Sequence, residues 1–249
     1  MTTTSTTPAS TPAATPSRFL DGATVLVTGA NGGLGLEFVA QVLQRGAARV
    51  YASARSPRTW DDPRVVPLAL DVTETDSVAR AAVAAADTTV VVNNAGVTAP
   101  APIATGEMQV LRDIFETNFF GAVAVARAFA PVLASNGGGA LLNVQSVLSW
   151  VGLAGAYSAS KAAFWSAGNS LRLELAPQGT QVTNLHFGYT DTPMTRLVDA
   201  PKNDPADVVR AALDGLEAGR FEVLADQLAI DVKQRLAAPV EEQYPGLAA

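Results

Sequence analysis

Short apolar runs alternate along the chain with longer segments whose apolar residues have helical spacing. Continuous runs rich in β-branched residues predict buried strands at 25–27, 49–54, 65–70, 89–92, 140–145, 181–187 and 221–224. Helical spacing predicts helices at 34–43, 75–86, 110–134, 156–176, 204–218 and 228–236. Because uninterrupted apolar strands are typical of parallel sheets, the pattern predicts a doubly wound α/β fold. We expect a mostly parallel, seven-stranded sheet with helices on both faces.

The length and composition fit one domain that follows a polar tail. Of the 249 residues, 48% are hydrophobic and 16% are charged, which is enough apolar material for a sizeable core. Residues 1–17 are mostly Thr, Ser, Pro and Ala, and they lack the charged start and apolar middle of a secretory signal. We therefore expect a disordered N-terminal tail over 1–17 and a single domain over 18–249.

Several classes of function are disfavoured by the residues that are rare or missing. The net charge is −6 and no basic run occurs, which argues against a nucleic-acid partner. The chain has no cysteine, so disulfides, thiol catalysis and cysteine metal sites are excluded. The one histidine, His186, ends an apolar run and is interpreted as a packed side chain; no metal site is expected. No apolar run has the length of a membrane span, so we expect a cytoplasmic protein without a membrane partner.

A glycine turn joins the first predicted strand to the first helix. The stretch reads Thr-Gly-Ala-Asn-Gly-Gly-Leu-Gly from Thr28 to Gly35. A strand, a glycine turn and a helix N-terminus together form an anion site, because free N–H groups and the positive helix end point beyond the strand. Gly29 would turn the chain, Gly33 would let a pyrophosphate approach, and Gly35 would let the helix pack closely. The alternative is that these glycines only make a tight turn.

Tyr157 and Lys161 lie four residues apart within a predicted helix and so share one face of it. Lys161 has Ala, Phe and Trp among its near neighbours in the sequence. A cation near a phenol favours the phenolate, so the pair predicts a Tyr157 pKa below about 10 and a general acid/base. The alternative is a solvated lysine beside an interface tyrosine.

Polar or glycine residues follow six successive predicted strands, at the edge where ligands bind in such sheets. Together with the two motifs above, the chain shows Asp71, Asn-Asn-Ala-Gly at 93–96, Asn118 and Ser146. In order and spacing these motifs resemble the short-chain dehydrogenase/reductase superfamily over nearly all of residues 21–225. The resemblance implies a Rossmann fold and a nicotinamide cofactor that carries a hydride.

The same resemblance implies a role for each matching residue. Tyr157 would donate and accept the substrate's proton, and Lys161 would lower its pKa and contact the nicotinamide ribose. Ser146 would hydrogen-bond the substrate oxygen, with Ser149 as a weaker alternative, and Asn118 would hold a water in the proton relay. Asp71 and Val72 would flank the adenine, and Thr192 would contact the carboxamide. The full set of expected cofactor-binding residues is Thr28, Gly29, Asn31, Gly33, Leu34, Gly35, Arg55, Asp71, Val72, Asn94, Ala95, Gly96, Tyr157, Lys161, Gly188, Thr190 and Thr192.

The residues after the second strand favour NADP(H) over NAD(H). An NAD-type site usually carries an acid about 20 residues beyond the glycine turn, where this chain has Ala54. Arg55 follows, and a guanidinium matches a phosphate in charge and geometry. Gly32 occupies a position that is often basic in NADP-preferring relatives. The alternative is that Arg55 is a solvated loop charge, so NAD(H) remains possible.

The sequence therefore predicts an NADP-dependent oxidoreductase that interconverts a carbonyl and a secondary alcohol. The alternative is a cofactor-binding sensor or scaffold without turnover. The loop from Ser146 to Tyr157 is short for the family, and Phe187-Gly188 replaces its usual Pro-Gly. Long, alanine-rich helices at 110–134 and 156–176 predict a homodimer or homotetramer. An apolar or aromatic substrate is expected, with a pocket formed by Trp150, Val151, Leu153, Tyr189, Met194 and Leu197.

Overall fold

A seven-stranded sheet forms the centre of the protein. The computed structural model describes residues 19–244 and residue 246, so the expected tail over 1–17 lies outside the described residues. The strands are β1 Thr24–Thr28, β2 Arg49–Ala54, β3 Val65–Ala69, β4 Val90–Asn93, β5 Ala140–Val144, β6 Gln181–His186 and β7 Glu222–Leu224. Their order across the sheet is β3-β2-β1-β4-β5-β6-β7, and all six pairings are parallel. The predicted doubly wound fold is confirmed.

Helices cover both faces of the sheet. They are α1 Leu34–Gln44, α2 Thr75–Ala84, α3 Met108–Phe115, α4 Ala122–Ser135, α5 Ala156–Leu175, α6 Pro205–Glu217, α7 Gln227–Gln234 and α8 Val240–Gln243. On one face, Phe38 of α1 and Leu213 of α6 belong to a core that includes Val27 and Leu142 of the sheet. On the other face, Phe129 of α4 and Leu171 of α5 belong to a second core with Leu141. The burial of these apolar side chains holds the helices on the sheet.

The helix predicted at 110–134 is interrupted in the structure. Residues Glu116–Gly121 form a π-helix between α3 and α4. Such single turns arise where an extra residue is inserted, and they are frequent at functional sites. Of the described residues, only the stretch Met108–Ser135 is long and apolar enough to cross a membrane by composition, with a mean hydropathy of 1.4. Here Ile114, Val125 and Phe129 of that stretch are buried inside the fold.

β3 is an edge strand with a proline at its centre. Pro67 is exposed and aligned with Ala52 of β2. The N–H of Leu70 donates to Ala54 at 2.9 Å. Because successive residues of a strand direct their N–H groups to opposite sides, position 67 faces the open edge. A proline is tolerated there because no neighbouring strand needs its N–H.

Candidate active site

The chain reverses strand order between β1 and β4, and a crevice opens beyond the carboxyl ends of these strands. Thr28 joins the two strand ends, because its Oγ1 accepts hydrogen bonds from the N–H groups of Asn94 and Ala95, each at 2.9 Å. Asn94 returns a bond from Nδ2 to the Thr28 carbonyl at 2.8 Å. The glycine turn and the Asn94–Gly96 segment are thereby held side by side.

Three positions of the turn require glycine, either because of a close contact or because of the backbone angle. A Cβ on Gly35 would lie 2.1 Å from the Gly29 carbonyl oxygen, so only glycine lets α1 approach the strand end this closely. Gly29 and Gly33 have φ values of +67° and +53°, which L side chains rarely adopt. No side chain caps the N-terminus of α1. The turn therefore offers a close, positively polarised surface that fits the pyrophosphate of a dinucleotide.

A cavity of about 580 Å³ extends from the glycine turn along the ends of β4, β5 and β6. Of the predicted catalytic residues, Ser146, Tyr157 and Lys161 line it. Of the predicted cofactor-binding residues, those that line it are Gly29, Gly33, Leu34, Asn94, Ala95, Gly96, Tyr157, Lys161, Gly188, Thr190 and Thr192. The structure thus brings together side chains from five separate segments of the sequence.

Ser146 and Tyr157 both line the cavity, and the Ser146 hydroxyl acts on the pKa of the Tyr157 phenol. Ser146 lies in extended backbone just past β5, and its Oγ also accepts the N–H of Leu148 at 3.1 Å. Tyr157 lies in the first turn of α5 and keeps partial access to the cavity. By contrast, Ser149 is buried and does not line the cavity, and its Oγ has no hydrogen-bond partner in the described part of the chain.

The pKa of Tyr157 moves opposite to the sequence prediction. Burial raises the pKa of Tyr157 to about 12, and the nearby Ser146 hydroxyl opposes this rise. Lys161 makes no hydrogen bond to the phenol, since its Nζ donates to the main-chain carbonyl of Val144 at 2.8 Å. Burial of that amine lowers the pKa of Lys161 to about 8. At pH 7 the phenol therefore holds its proton and the lysine is mostly charged.

Asn118 lies in the π-helix and does not line the cavity. Its Oδ1 accepts the Val97 N–H at 2.8 Å, and its Nδ2 donates to the Val97 carbonyl at 2.9 Å. The same Nδ2 donates to Ser160 Oγ at 3.2 Å. Asn118 thus fixes the segment after Gly96 against α5, next to Lys161.

Six predicted cofactor residues lie outside the cavity wall: Thr28, Asn31, Gly35, Arg55, Asp71 and Val72. Thr28 and Gly35 support the turn from behind, as described above. Hydrogen bonds from Thr73 lower the pKa of Asp71, and the charge of nearby Arg55 adds to this effect. Arg55 is exposed just after β2.

Arg58, for which no role was predicted, lies in the loop after β2. Its N–H donates to Asn31 Oδ1 at 3.3 Å, and its guanidinium lies 5.1 Å from the centre of the Trp60 ring. This contact joins the loop after β2 to the glycine turn, because Asn31 lies in that turn and also donates to Ser56 O at 2.8 Å.

Four of the six residues predicted to form the substrate pocket lie on the cavity wall. Val151, Leu153, Tyr189 and Met194 line the cavity. Trp150 does not, because its ring stacks on His186 with centroids 4.0 Å apart.

Leu197 is also absent from the wall, since its side chain is 89% exposed on the surface. Leu228 and Val232 of α7 also line the cavity, and neither was predicted from the sequence. They lie far along the chain from the other lining residues, and their helical spacing does not indicate that α7 packs beside the site.

Comparison with known proteins places this geometry in a family. Residues 23–203 match the family model of the short chain dehydrogenases. The protein belongs to the short-chain dehydrogenase family. A short chain dehydrogenase from Burkholderia cenocepacia J2315, solved in complex with NADP, shares 39% identity and a TM-score of 0.85. That alignment covers 92% of this chain and 97% of the other.

Two curated relatives carry activities in their names. This short-chain dehydrogenase is 35% identical to 1-deoxy-11-beta-hydroxypentalenate dehydrogenase of Streptomyces exfoliatus, over 76% of this chain and 75% of that protein. It is also 35% identical to NADPH-dependent 1-acyldihydroxyacetone phosphate reductase of Schizosaccharomyces pombe, over 68% of this chain and 60% of that protein. The predicted family and oxidoreductase class are therefore confirmed.

Proposed function

We propose that this short-chain dehydrogenase interconverts a carbonyl and a secondary alcohol with NADP(H), and that Tyr157 is its general acid/base. The observation that carries the proposal is that two hydroxyls, those of Ser146 and Tyr157, line the same cavity, which begins at the glycine turn. Two hydroxyls at one point can donate to a single substrate oxygen, which is what a developing alkoxide requires.

The side chains supply orientation and the proton, and a bound nicotinamide cofactor would supply or accept the hydride. Tyr157 is protonated at pH 7, the form that gives a proton to a carbonyl oxygen during reduction. Ser146 holds the same oxygen in place. The Lys161 ammonium adds positive charge behind the pair, and Asn118 fixes the wall beside it.

NADP(H) is the preferred cofactor in this proposal, with NAD(H) as a weaker substitute. Ala54 provides no carboxylate to repel a 2′-phosphate, and the exposed guanidinium of Arg55 follows it. Arg58 is tied to the glycine turn through Asn31 and lies in the same loop. The relative from Burkholderia cenocepacia was solved with NADP, which supports the same preference.

The substrate is proposed to be an uncharged, largely apolar carbonyl compound. Apolar side chains from the segment after β5, the segment after β6 and α7 form much of the cavity wall. Among the charged side chains in the described ranges, only Lys161 lines it. A carboxylate or phosphate on the substrate would be desolvated there without a dedicated partner.

A spectroscopic assay tests the function directly. Oxidation of NADPH is followed with apolar cyclic and aromatic ketones, and with charged 2-oxo acids of similar size as the matched control set. We expect turnover of the apolar ketones, with NADPH preferred to NADH. Tight NADPH binding without turnover of any carbonyl, and without oxidation of the matching alcohols, would instead favour a sensor or scaffold.

We further propose that the enzyme is a cytoplasmic homo-oligomer. Leu173 of α5 is 77% exposed and Phe120 of the π-helix is 54% exposed, so apolar surface remains on helices that cover one face of the sheet. Contact between two copies would remove this surface from water. Light scattering at micromolar concentration should give a multiple of the 25.7 kDa chain mass, and the monomer mass alone contradicts this proposal.

A further inference from the structure

Near Ser146 lies a group of buried and partly buried side chains that the proposed reaction does not use. We call His186, Trp150, Trp165, Glu222 and Lys233 the histidine cluster. His186, at the end of β6, is fully buried and lies nearly parallel to the Trp150 ring at 19°. Trp165 of α5 meets Trp150 edge-on, with centroids 6.2 Å apart.

One ring nitrogen of His186 contacts the residue proposed to bind the substrate oxygen. Nδ1 lies 3.1 Å from the main-chain carbonyl oxygen of Ser146. A carbonyl oxygen can only accept, so Nδ1 must carry the proton. The sequence predicts only that His186 is a packed side chain. The structure shows in addition that its Nδ1 faces the Ser146 carbonyl.

The second ring nitrogen faces an acid that has other partners. His186 Nε2 lies 3.6 Å from Glu222 Oε1, beyond hydrogen-bond distance. Glu222 is held by Lys233 at 2.8 Å and by Trp165 Nε1 at 3.3 Å. The charged groups that act on the imidazole are thus Glu222 from β7, Lys233 from α7 and Lys161 from α5. Burial lowers the pKa of His186 to about 4, which keeps the ring neutral and Nδ1–H in place at pH 7.

The Ser146 carbonyl and Oγ belong to one short, extended segment. The next N–H, that of Val147, donates to the Phe187 carbonyl at 3.0 Å. Both sides of the peptide between Ser146 and Val147 are therefore anchored to the end of β6. With this peptide plane fixed, the Cα–Cβ bond of Ser146 keeps its direction, and the Leu148 N–H holds Oγ at 3.1 Å.

We propose that His186 is a positioning residue: its Nδ1–H holds the Ser146 carbonyl so that Oγ stays directed at Tyr157 and the substrate oxygen. The inference rests on the proposed function of Ser146. It assigns to His186 no contact with the substrate or the cofactor.

Isosteric variants separate the bond from simple packing. His186→Phe keeps a stacked ring but removes the donor, so kcat should fall about 3- to 10-fold while KM for NADPH is unchanged. His186→Asn places an amide N–H near the Nδ1 position and should keep kcat within about twofold of wild type. His186→Gln places its amide nearer the Nε2 position and should lose as much as His186→Phe. If His186→Phe folds poorly, the Asn and Gln pair provides the same contrast.

Two further measurements distinguish positioning from a loss of stability. Val182→Ala, in the same strand and buried, should lower the unfolding temperature and leave kcat unchanged. In a Ser146→Ala background, His186→Phe should cause no further fall in kcat, because the group that it positions is gone. An equal fall in both backgrounds, or full activity of His186→Phe and His186→Gln, overturns the inference.

A readout without turnover tests the same bond. The ¹⁵N shifts of the chain's one histidine should report the neutral Nδ1–H tautomer at pH 7. The opposite tautomer, or a protonated ring, overturns the inference even if no substrate is found. A wild-type protein that turns over no carbonyl contradicts the proposed function instead, so the two failures are distinguishable.

Discussion

The amine nitrogen of Lys161 lies 5.9 Å from the centre of the Tyr157 ring and directs a hydrogen bond to a main-chain carbonyl instead of the phenol. The two side chains share one face of α5, as their spacing predicts, but they do not form a pair. The hydroxyl that acts on the Tyr157 phenol is instead that of Ser146. This arrangement favours a phenol that donates a proton over a phenolate that accepts one.

Tyr157→Phe should abolish carbonyl reduction and leave NADPH affinity close to wild type. The ring keeps its packing, and only the proton donor is removed. Steady-state kinetics and a fluorescence titration with NADPH measure the two effects separately. Tyr51→Phe on β2, which removes a hydroxyl far from the cavity, is the matched control and should keep its kcat. A kcat near wild type in Tyr157→Phe would rule out the assigned role.

The pH dependence of reduction should follow Lys161. Because burial lowers the pKa of Lys161 to about 8, its positive charge is present below pH 8 and disappears above it. The developing alkoxide is then no longer stabilised by the ammonium charge, so kcat should decline as the pH rises through about 8. Lys161→Met should have a lower kcat without this inflection, whereas Lys202→Met, at another lysine, should retain it. An unchanged inflection in Lys161→Met contradicts the prediction.

Arg55→Ala should weaken the binding of NADPH more than the binding of NADH. Loss of a charge-assisted phosphate contact of about 1.5–3 kcal/mol corresponds to a roughly ten- to hundredfold rise in KM for NADPH. KM for NADH should hardly change, because NADH lacks the 2′-phosphate. Arg210→Ala removes an exposed arginine of α6 and serves as the control. Equal effects on both cofactors would show that Arg55 does not recognise the phosphate.

Gly35→Ala should destabilise the protein, whereas Gly32→Ala should not. A Cβ at position 35 would lie 2.1 Å from a backbone oxygen, but at position 32 it would meet nothing within 4 Å. Overpacking of this kind typically costs about 1–3 kcal/mol, and the open position should change stability by less than about 0.5 kcal/mol. Thermal unfolding of both variants measures the difference. Similar unfolding temperatures would mean that α1 shifts readily from the strand end.

His186 should make the free energy of unfolding rise between pH 4 and pH 6.5. In this window the unfolded chain binds a proton that the folded protein, with a His186 pKa of about 4, does not bind. The difference corresponds to about 3 kcal/mol at full amplitude. Denaturant titrations of wild type and His186→Asn are compared at each pH. The carboxylates contribute equally to the free energy of unfolding of both proteins, so their effect cancels in the difference. The histidine NMR titration gives the pKa directly, and a value near 6.5 contradicts the prediction.

The sheet could be predicted from the sequence because its signal is local. A continuous apolar run, such as the three successive valines of β4, is typical of a strand buried on both faces. The glycine turn and the spacing of Tyr157 and Lys161 are local as well. The predicted order of elements was therefore correct, with ends displaced by a few residues, as for β6, which ends at His186 instead of 187.

Features that depend on distant contacts could not be predicted. The position of Trp150 is decided by its stack on His186, 36 residues away, and that of α7 by contacts that place Leu228 and Val232 at the cavity. The pKa of Tyr157 depends on how deeply α5 buries it, which spacing alone does not reveal. The π-helix at Asn118 leaves no break in the sequence pattern, so helical spacing predicted one unbroken helix over 110–134.

Pro67 affects how copies of the chain meet. Its missing N–H interrupts the row of donors along the outer edge of β3, and the opposite edge strand, β7, has only three residues. Neither border offers an uninterrupted template on which the strand of another molecule could pair. Growth of the sheet from copy to copy is therefore disfavoured at both borders. The homo-oligomer proposed above would accordingly form through side chains on the helical faces.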